Sequence, residues 1–141
     1  DKNQDCASLA ARFGITERVR FLGYRRDLER FYQAADIFVL PTAYETFCRS
    51  AHEAAACGIP IIATPVNGVR DLVGANEAGI VAGRNSEETA HALVRLARDP
   101  ERRAQAGKVA TQRAAAFEQE AVGARLLALH RSLLEIQPIR I

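Results

Sequence analysis

The chain reads as an α/β domain, a parallel sheet with helices on its faces, and three features carry that reading. Short β-favouring runs alternate with helical segments between Arg18 and Ala82, joined by connections of a few residues. One run, Asp36-Ile37-Phe38-Val39-Leu40, is continuous and closes at Pro41, as suits a strand covered on both faces. Beyond Ala82 the β-favouring runs stop and only helical periodicity remains.

In order, Asp5 to Phe13 predicts an amphipathic helix stopped by Gly14. Arg18-Val19-Arg20-Phe21-Leu22 alternates polar and apolar, which predicts a strand ending at Gly23. Asp27 is placed to cap a helix with Leu28, Phe31 and Tyr32 on one face. After the run at 36–40, Ala51 to Cys57 predicts an alanine-rich helix stopped by Gly58. Ile59-Pro60-Ile61-Ile62-Ala63 is a buried strand, Asn67-Gly68 opens a short helix through Leu72 and Val73, and Gly79-Ile80-Val81-Ala82 is a further strand. Ser86 is expected to cap a helix whose inner face carries Ala90, Leu93, Val94 and Ala97. Pro100 fits the first turn of the next helix, to about Ala116. A last helix runs from about Glu118, with Val122, Leu126, Leu129 and Leu133 on one stripe, and the tail from Gln137 is expected to be loosely held.

Composition narrows the function classes. The 141 residues fit one domain, expected to span 1–141, and no apolar run approaches the roughly 20 residues that cross a bilayer. The opening Asp1-Lys2-Asn3-Gln4-Asp5 is polar and unlike a signal peptide. With no methionine and a helix first, the chain is expected to be a piece of a longer protein, one or two strands having preceded Asp1. A net charge of +2 gives no basic field for nucleic acid. Cys6, Cys48 and Cys57 match neither a disulfide framework nor a zinc knuckle, so free thiols and a cytoplasmic location are expected. His52, His91 and His130 lie too far apart for metal-ligand spacing, and no metal is expected.

The chemistry concentrates between Leu40 and Pro60. A strand ends at Pro41, a polar loop follows, and a helix begins near Cys48 or Arg49. In open α/β sheets ligands bind beyond the carboxyl ends of the strands, and a helix N-terminus aimed there offers free N–H groups to a phosphate. Arg49 adds a charged contact, while Glu45 and Glu53 can accept hydrogen bonds from sugar hydroxyls. That combination suits a nucleotide sugar. Ser50-Ala51-His52-Glu53 can also be read as a plain capping box, with Glu53 merely serving the helix start. Cys48 at a helix N-terminus is placed like a nucleophile, but no general base lies near it in sequence.

Glu45 and Glu53 enclose seven residues, and the stretch resembles the Glu-x7-Glu motif of retaining glycosyltransferases of the GT-B fold, family 4 (group 1). Phe21-Leu22-Gly23, Ala35 to Pro41, Glu53 to Thr64, Asn67-Gly68-Val69 and the segment around Asp99-Pro100 resemble that superfamily's donor-binding domain in the same order. The resemblance implies a Rossmann-like parallel sheet with flanking helices, the C-terminal half of a GT-B fold, N-terminally truncated and ending in a helical segment. It implies transfer of a sugar from a nucleoside diphosphate sugar to an acceptor, with retention and no metal or other cofactor, in polysaccharide or glycoconjugate synthesis. Glu45 would be the catalytic-site carboxylate on the donor sugar, and Glu53 would hold the ribose. Phe47, Cys48, Arg49 and Ser50 would face the diphosphate, and Gly23, Tyr24 and Arg25 would lie near the base, with Tyr24 able to stack on it. The implied partners are the donor, a separate N-terminal acceptor domain, and a membrane surface touched peripherally by the full-length protein.

The chain also departs from the family pattern. Glu45-Thr46-Phe47-Cys48 stands where the family commonly has Glu-Gly-Phe-Gly, and glycines there allow positive φ and close approach to a ligand. The family's Arg and Lys phosphate clamp has no counterpart here. A second reading, a non-catalytic GT-B-like binding or assembly module, follows from those departures. A dinucleotide-binding domain is excluded by the lack of Gly-x-Gly-x-x-Gly, and a phosphate-accepting receiver by the lack of a strand lysine.

Overall fold

A computed structural model describes residues 2–75 and 77–135. Its elements are α1 (Lys2–Arg12), α2 (Leu28–Ala34), β1 (Phe38–Leu40), α3 (Arg49–Ala56), β2 (Ile61–Ala63), α4 (Val69–Val73), β3 (Gly79–Val81), α5 (Ser86–Ala97), α6 (Pro100–Ala114) and α7 (Gln119–Glu135). The three strands form a parallel sheet in the order β1-β2-β3, with Phe38 opposite Ile61 and Ile61 opposite Gly79. This is the expected parallel sheet with flanking helices.

The central strand explains why a continuous apolar run was needed. Ile61, Ile62 and Ala63 are all buried, and alternate side chains enter different cores. Ile61 and Ala63 pack with Ala51, Ala54 and Ala55 of α3, Val69, Leu72 and Val73 of α4, and Ala110 and Ala114 of α6. Ile62 points the other way, onto Ala92 and Leu96 of α5. β1 is an edge strand among the described residues, and its residues are only half-buried.

Four expectations are corrected. The segment 18–22 is not a strand: Thr16–Arg18 form a 3-10 turn, and Phe21 and Leu22 remain about half exposed. Alternation makes a strand only where a neighbour supplies a ladder, and none of the described strands pairs with it. The cap of α5 is Asn85 rather than Ser86, because the Asn85 side chain accepts the Glu88 N–H at 2.8 Å. One residue of shift moves the inner face too. Ala92 and Leu96 are buried with Leu93 half-buried, while Ala90, Val94 and Ala97 face outward. Finally, Asp27 stands at the start of α2 without capping it, since both its oxygens bind Arg25.

Asp99 does cap α6, accepting the Arg102 N–H at 2.9 Å with Pro100 in the first turn. The predicted stripe of α7 exists as a stripe, but Val122, Leu126, Leu129 and Leu133 stay 43% to 65% exposed. The tail from Gln137, expected to be loosely held, lies outside the described residues.

Candidate functional site

The loop from β1 to α3 is fastened to the sheet before it reaches the helix. Thr64, buried at the end of β2, donates its hydroxyl to the Thr42 carbonyl, and Thr42 donates its own to the Tyr44 carbonyl at 3.1 Å. The loop then turns sharply at Cys48, which has φ 63° and ψ 47° and is the one non-glycine residue with positive φ among those described. A left-handed residue costs about 1–2 kcal/mol unless it is glycine. Burial of the Cys48 side chain at 1% exposure is the compensation visible at this position.

That turn aims α3. Its first N–H groups, those of Arg49 and Ser50, find no backbone acceptor among the described residues, and no side chain caps the helix. The helix start is therefore open to an anion. Ser50 lies inside the helix rather than at its cap, so the capping-box reading of Glu53 does not hold. Glu53 instead accepts from Arg49 Nε on Oε1 at 2.8 Å and from the Tyr32 hydroxyl on Oε2 at 3.4 Å.

Tyr32 brings a second helix to the carboxylate. Between α2 and α3 lies an open cleft of about 750 Å³, lined along α3 by Arg49, Ser50, Glu53, Ala56 and Cys57. Its far wall is Leu28, Glu29 and Tyr32 of α2, and its mouth is Tyr24, Arg25 and Arg26. Three arginines against two glutamates make the lining cationic overall. Arg25 is held at the rim by Asp27 and lies 5.1 Å over the Phe31 ring. That pairing lowers the Asp27 pKa and raises the Arg25 pKa, chiefly through the side-chain hydrogen bond. Tyr24 is 88% exposed, an open ring at the mouth.

Of the residues singled out from sequence, Tyr24, Arg25, Arg49, Ser50 and Glu53 line this one cleft; Glu45, Phe47, Cys48 and Gly23 do not. Glu45 is half-buried in the loop ahead of the turn. Phe47 stacks on the buried His52 ring at 4.4 Å, with Phe117 edge-on to His52 at 4.6 Å. His52 Nδ1 lies 3.1 Å from the Cys48 carbonyl, so its proton there donates back to the turn. Burial, with a smaller contribution from the Glu45 charge, pushes the Cys48 thiol up, which disfavours the thiolate a nucleophile needs.

Gly68, at the start of α4, closes the same corner: with φ +80°, a Cβ there would sit 2.2 Å from the Phe47 carbonyl oxygen. Sequence reasoning missed Tyr32 and Thr64 as supports of the site. Nothing local marks them, because their partners Glu53 and Thr42 lie 21 and 22 residues away. A smaller hollow of about 430 Å³ sits at the carboxyl ends of the strands, lined by Thr42, Thr64, Gly83, Arg84 and Asn85 among others. Among the described residues no group of three or more His, Cys, Asp or Glu side chains could hold a metal, and no helix is long and apolar enough to cross a membrane.

Comparison with known proteins bears on this arrangement. Residues 1–99 match the family model described as "Glycosyl transferases group 1". D-inositol 3-phosphate glycosyltransferase of Corynebacterium urealyticum is 38% identical over 128 residues, covering 89% of this chain and 30% of the relative. The Frankia alni protein of the same name is 38% identical over 129 residues, covering 89% and 32%. The chain thus spans about a third of the length of these relatives. Among solved structures, sucrose-phosphate synthase from Thermosynechococcus elongatus superposes with TM-score 0.83 at 31% identity, over 96% of this chain and 35% of that one. Anabaena HepE in complex with UDP superposes with TM-score 0.84 at 26% identity, over 92% and 36%.

Proposed function

The chain belongs to the glycosyl transferases group 1 family, and from that membership we propose that it forms the donor-binding part of a full-length enzyme that moves a sugar from a nucleoside diphosphate sugar to an acceptor. Its parallel sheet with flanking helices is part of a GT-B fold. The observation that carries the reading is the meeting, in one cleft, of an uncapped helix start, Arg49 and the carboxylate of Glu53.

In this reading the Arg49 and Ser50 amides and the arginines receive the diphosphate, Glu53 accepts from ribose hydroxyls, and Tyr24 offers its ring to the base. Glu45, on the loop ahead of α3, addresses the transferred sugar. The departing diphosphate gathers negative charge as the glycosidic bond breaks, and donors fixed on a helix end stabilise that charge without reorganising. Transfer proceeds with retention and without a metal, and the acceptor is held by a part of the protein outside these residues. The left-handed turn at Cys48, a conformation glycine adopts freely, supports a helix start aimed at a ligand.

The test is release of nucleoside diphosphate from UDP-, GDP- and ADP-sugars by the full-length protein. One donor should be turned over, equally well with and without EDTA. Tight donor binding with no turnover on any acceptor tried would favour the module; no binding of any of the three would remove both readings.

A further inference from the structure

We propose that Tyr32 is a positioning residue for donor recognition: its hydroxyl fixes the Glu53 carboxylate in the orientation that meets the ribose. The proposal rests on the reading of Glu53 given above. It starts from the unequal way in which the two carboxylate oxygens are held. Oε1 accepts from Arg49 Nε at 2.8 Å, but the Arg49 side chain is 87% exposed and lies in water. An exposed ion pair of this kind is weak and easily exchanged. Oε2 accepts from the Tyr32 hydroxyl at 3.4 Å. Tyr32 is half-buried, with its ring edge-on to Phe38 at 6.0 Å and 71°. Phe38 in turn is paired in register with Ile61 of the central strand.

One oxygen thus faces, at the long end of hydrogen-bond range, a hydroxyl carried on a ring packed against the sheet, and the other is held by a solvated guanidinium. A ribose hydroxyl can replace Arg49 on Oε1 while Tyr32 keeps Oε2, and the released Arg49 is then free for the diphosphate beside it. A glutamate left to itself would have to be ordered when the donor binds, and ordering a flexible side chain lowers affinity. Tyr32 removes that cost in advance. Burial, then the Glu53 charge and hydrogen bond, push the Tyr32 pKa up, so the hydroxyl keeps the proton it donates.

The experiment compares full-length wild type, Tyr32→Phe, Glu53→Ala and the double variant. Each is titrated with UDP (or GDP or ADP, whichever wild type binds most tightly) and with the analogue lacking both ribose hydroxyls. Phenylalanine keeps the ring against Phe38 and removes only the donor. Tyr32→Phe is expected to lower the preference for the hydroxylated nucleotide about threefold to tenfold, with affinity for the analogue unchanged. In the Glu53→Ala background, with no acceptor left at that position, the preference should already be lost, and Tyr32→Phe should add nothing. A general packing defect would weaken both ligands alike, and that outcome would overturn the positioning role. So would a wild-type preference in Tyr32→Phe alongside a lost one in Glu53→Ala, which leaves the ribose reading standing. A preference kept in Glu53→Ala defeats the ribose reading itself and the proposal with it.

Discussion

Replacing Glu53 with alanine is expected to weaken nucleoside diphosphate binding by the full-length protein about tenfold to a hundredfold. A hydrogen bond to a charged group is worth about 1.5–3 kcal/mol, and about 1.4 kcal/mol is tenfold in affinity. The substitution also frees Arg49 and leaves the Tyr32 hydroxyl without its acceptor. Neither loss should unfold the protein. The Arg49 pair is exposed, and exposed pairs contribute about 0–1 kcal/mol. Calorimetric titration with parallel thermal unfolding separates the two effects: affinity should fall while the melting temperature barely moves. Unchanged affinity would remove Glu53 from the ribose.

Gly68→Ala is expected to cost about 2–5 kcal/mol of stability, as the sum of two effects. Alanine at φ +80° pays about 1–2 kcal/mol for the left-handed region. Its Cβ would then lie 2.2 Å from the Phe47 carbonyl oxygen and 3.0 Å from the carbonyl carbon, an overlap with backbone that no rotamer relieves. Overpacking of that kind costs about 1–3 kcal/mol. Gly14 provides the control, having φ +63° with nothing within 4 Å of its added Cβ. Gly14→Ala should therefore cost only the conformational part. Urea unfolding of the two variants decides it, and equal losses would mean that α4 does not press on the Phe47 turn. The same overlap should disturb Cys48 and the helix start, so donor affinity should fall in Gly68→Ala and not in Gly14→Ala.

How much of this was readable in the sequence depended on how local the physics is. β2 was legible because Ile61, Ile62 and Ala63 must be apolar on both faces, and that leaves an unbroken run. The ends of α1 and α3 were legible because Gly14 and Gly58 take positive φ two residues past them. The alternation at 18–22 misled because a strand needs a partner ladder, which no pattern within one segment reveals. Ser86 misled because two adjacent residues can both cap, and Asn85 won by reaching the Glu88 N–H.

In the site, Arg49, Glu53 and the open start of α3 were visible, and so were Tyr24 and Arg25 at the mouth, whereas Glu45 and Gly23 lie outside the cleft lining. The Tyr32 contact with Glu53 was not, since the helical pattern of α2 marks Tyr32 only as a packing residue. The left-handed turn at Cys48 was hidden for the opposite reason: glycine ordinarily announces such a turn, and cysteine does not.

Hydrogen–deuterium exchange of the full-length protein, with and without saturating nucleoside diphosphate, tests most directly whether the cleft between α2 and α3 holds the donor. Protection is expected in peptides covering 23–32 and 48–57, strongest at the Arg49 and Ser50 amides, and absent from 100–114. Protection confined to 83–93, beside the hollow at the carboxyl ends of the strands, would contradict it.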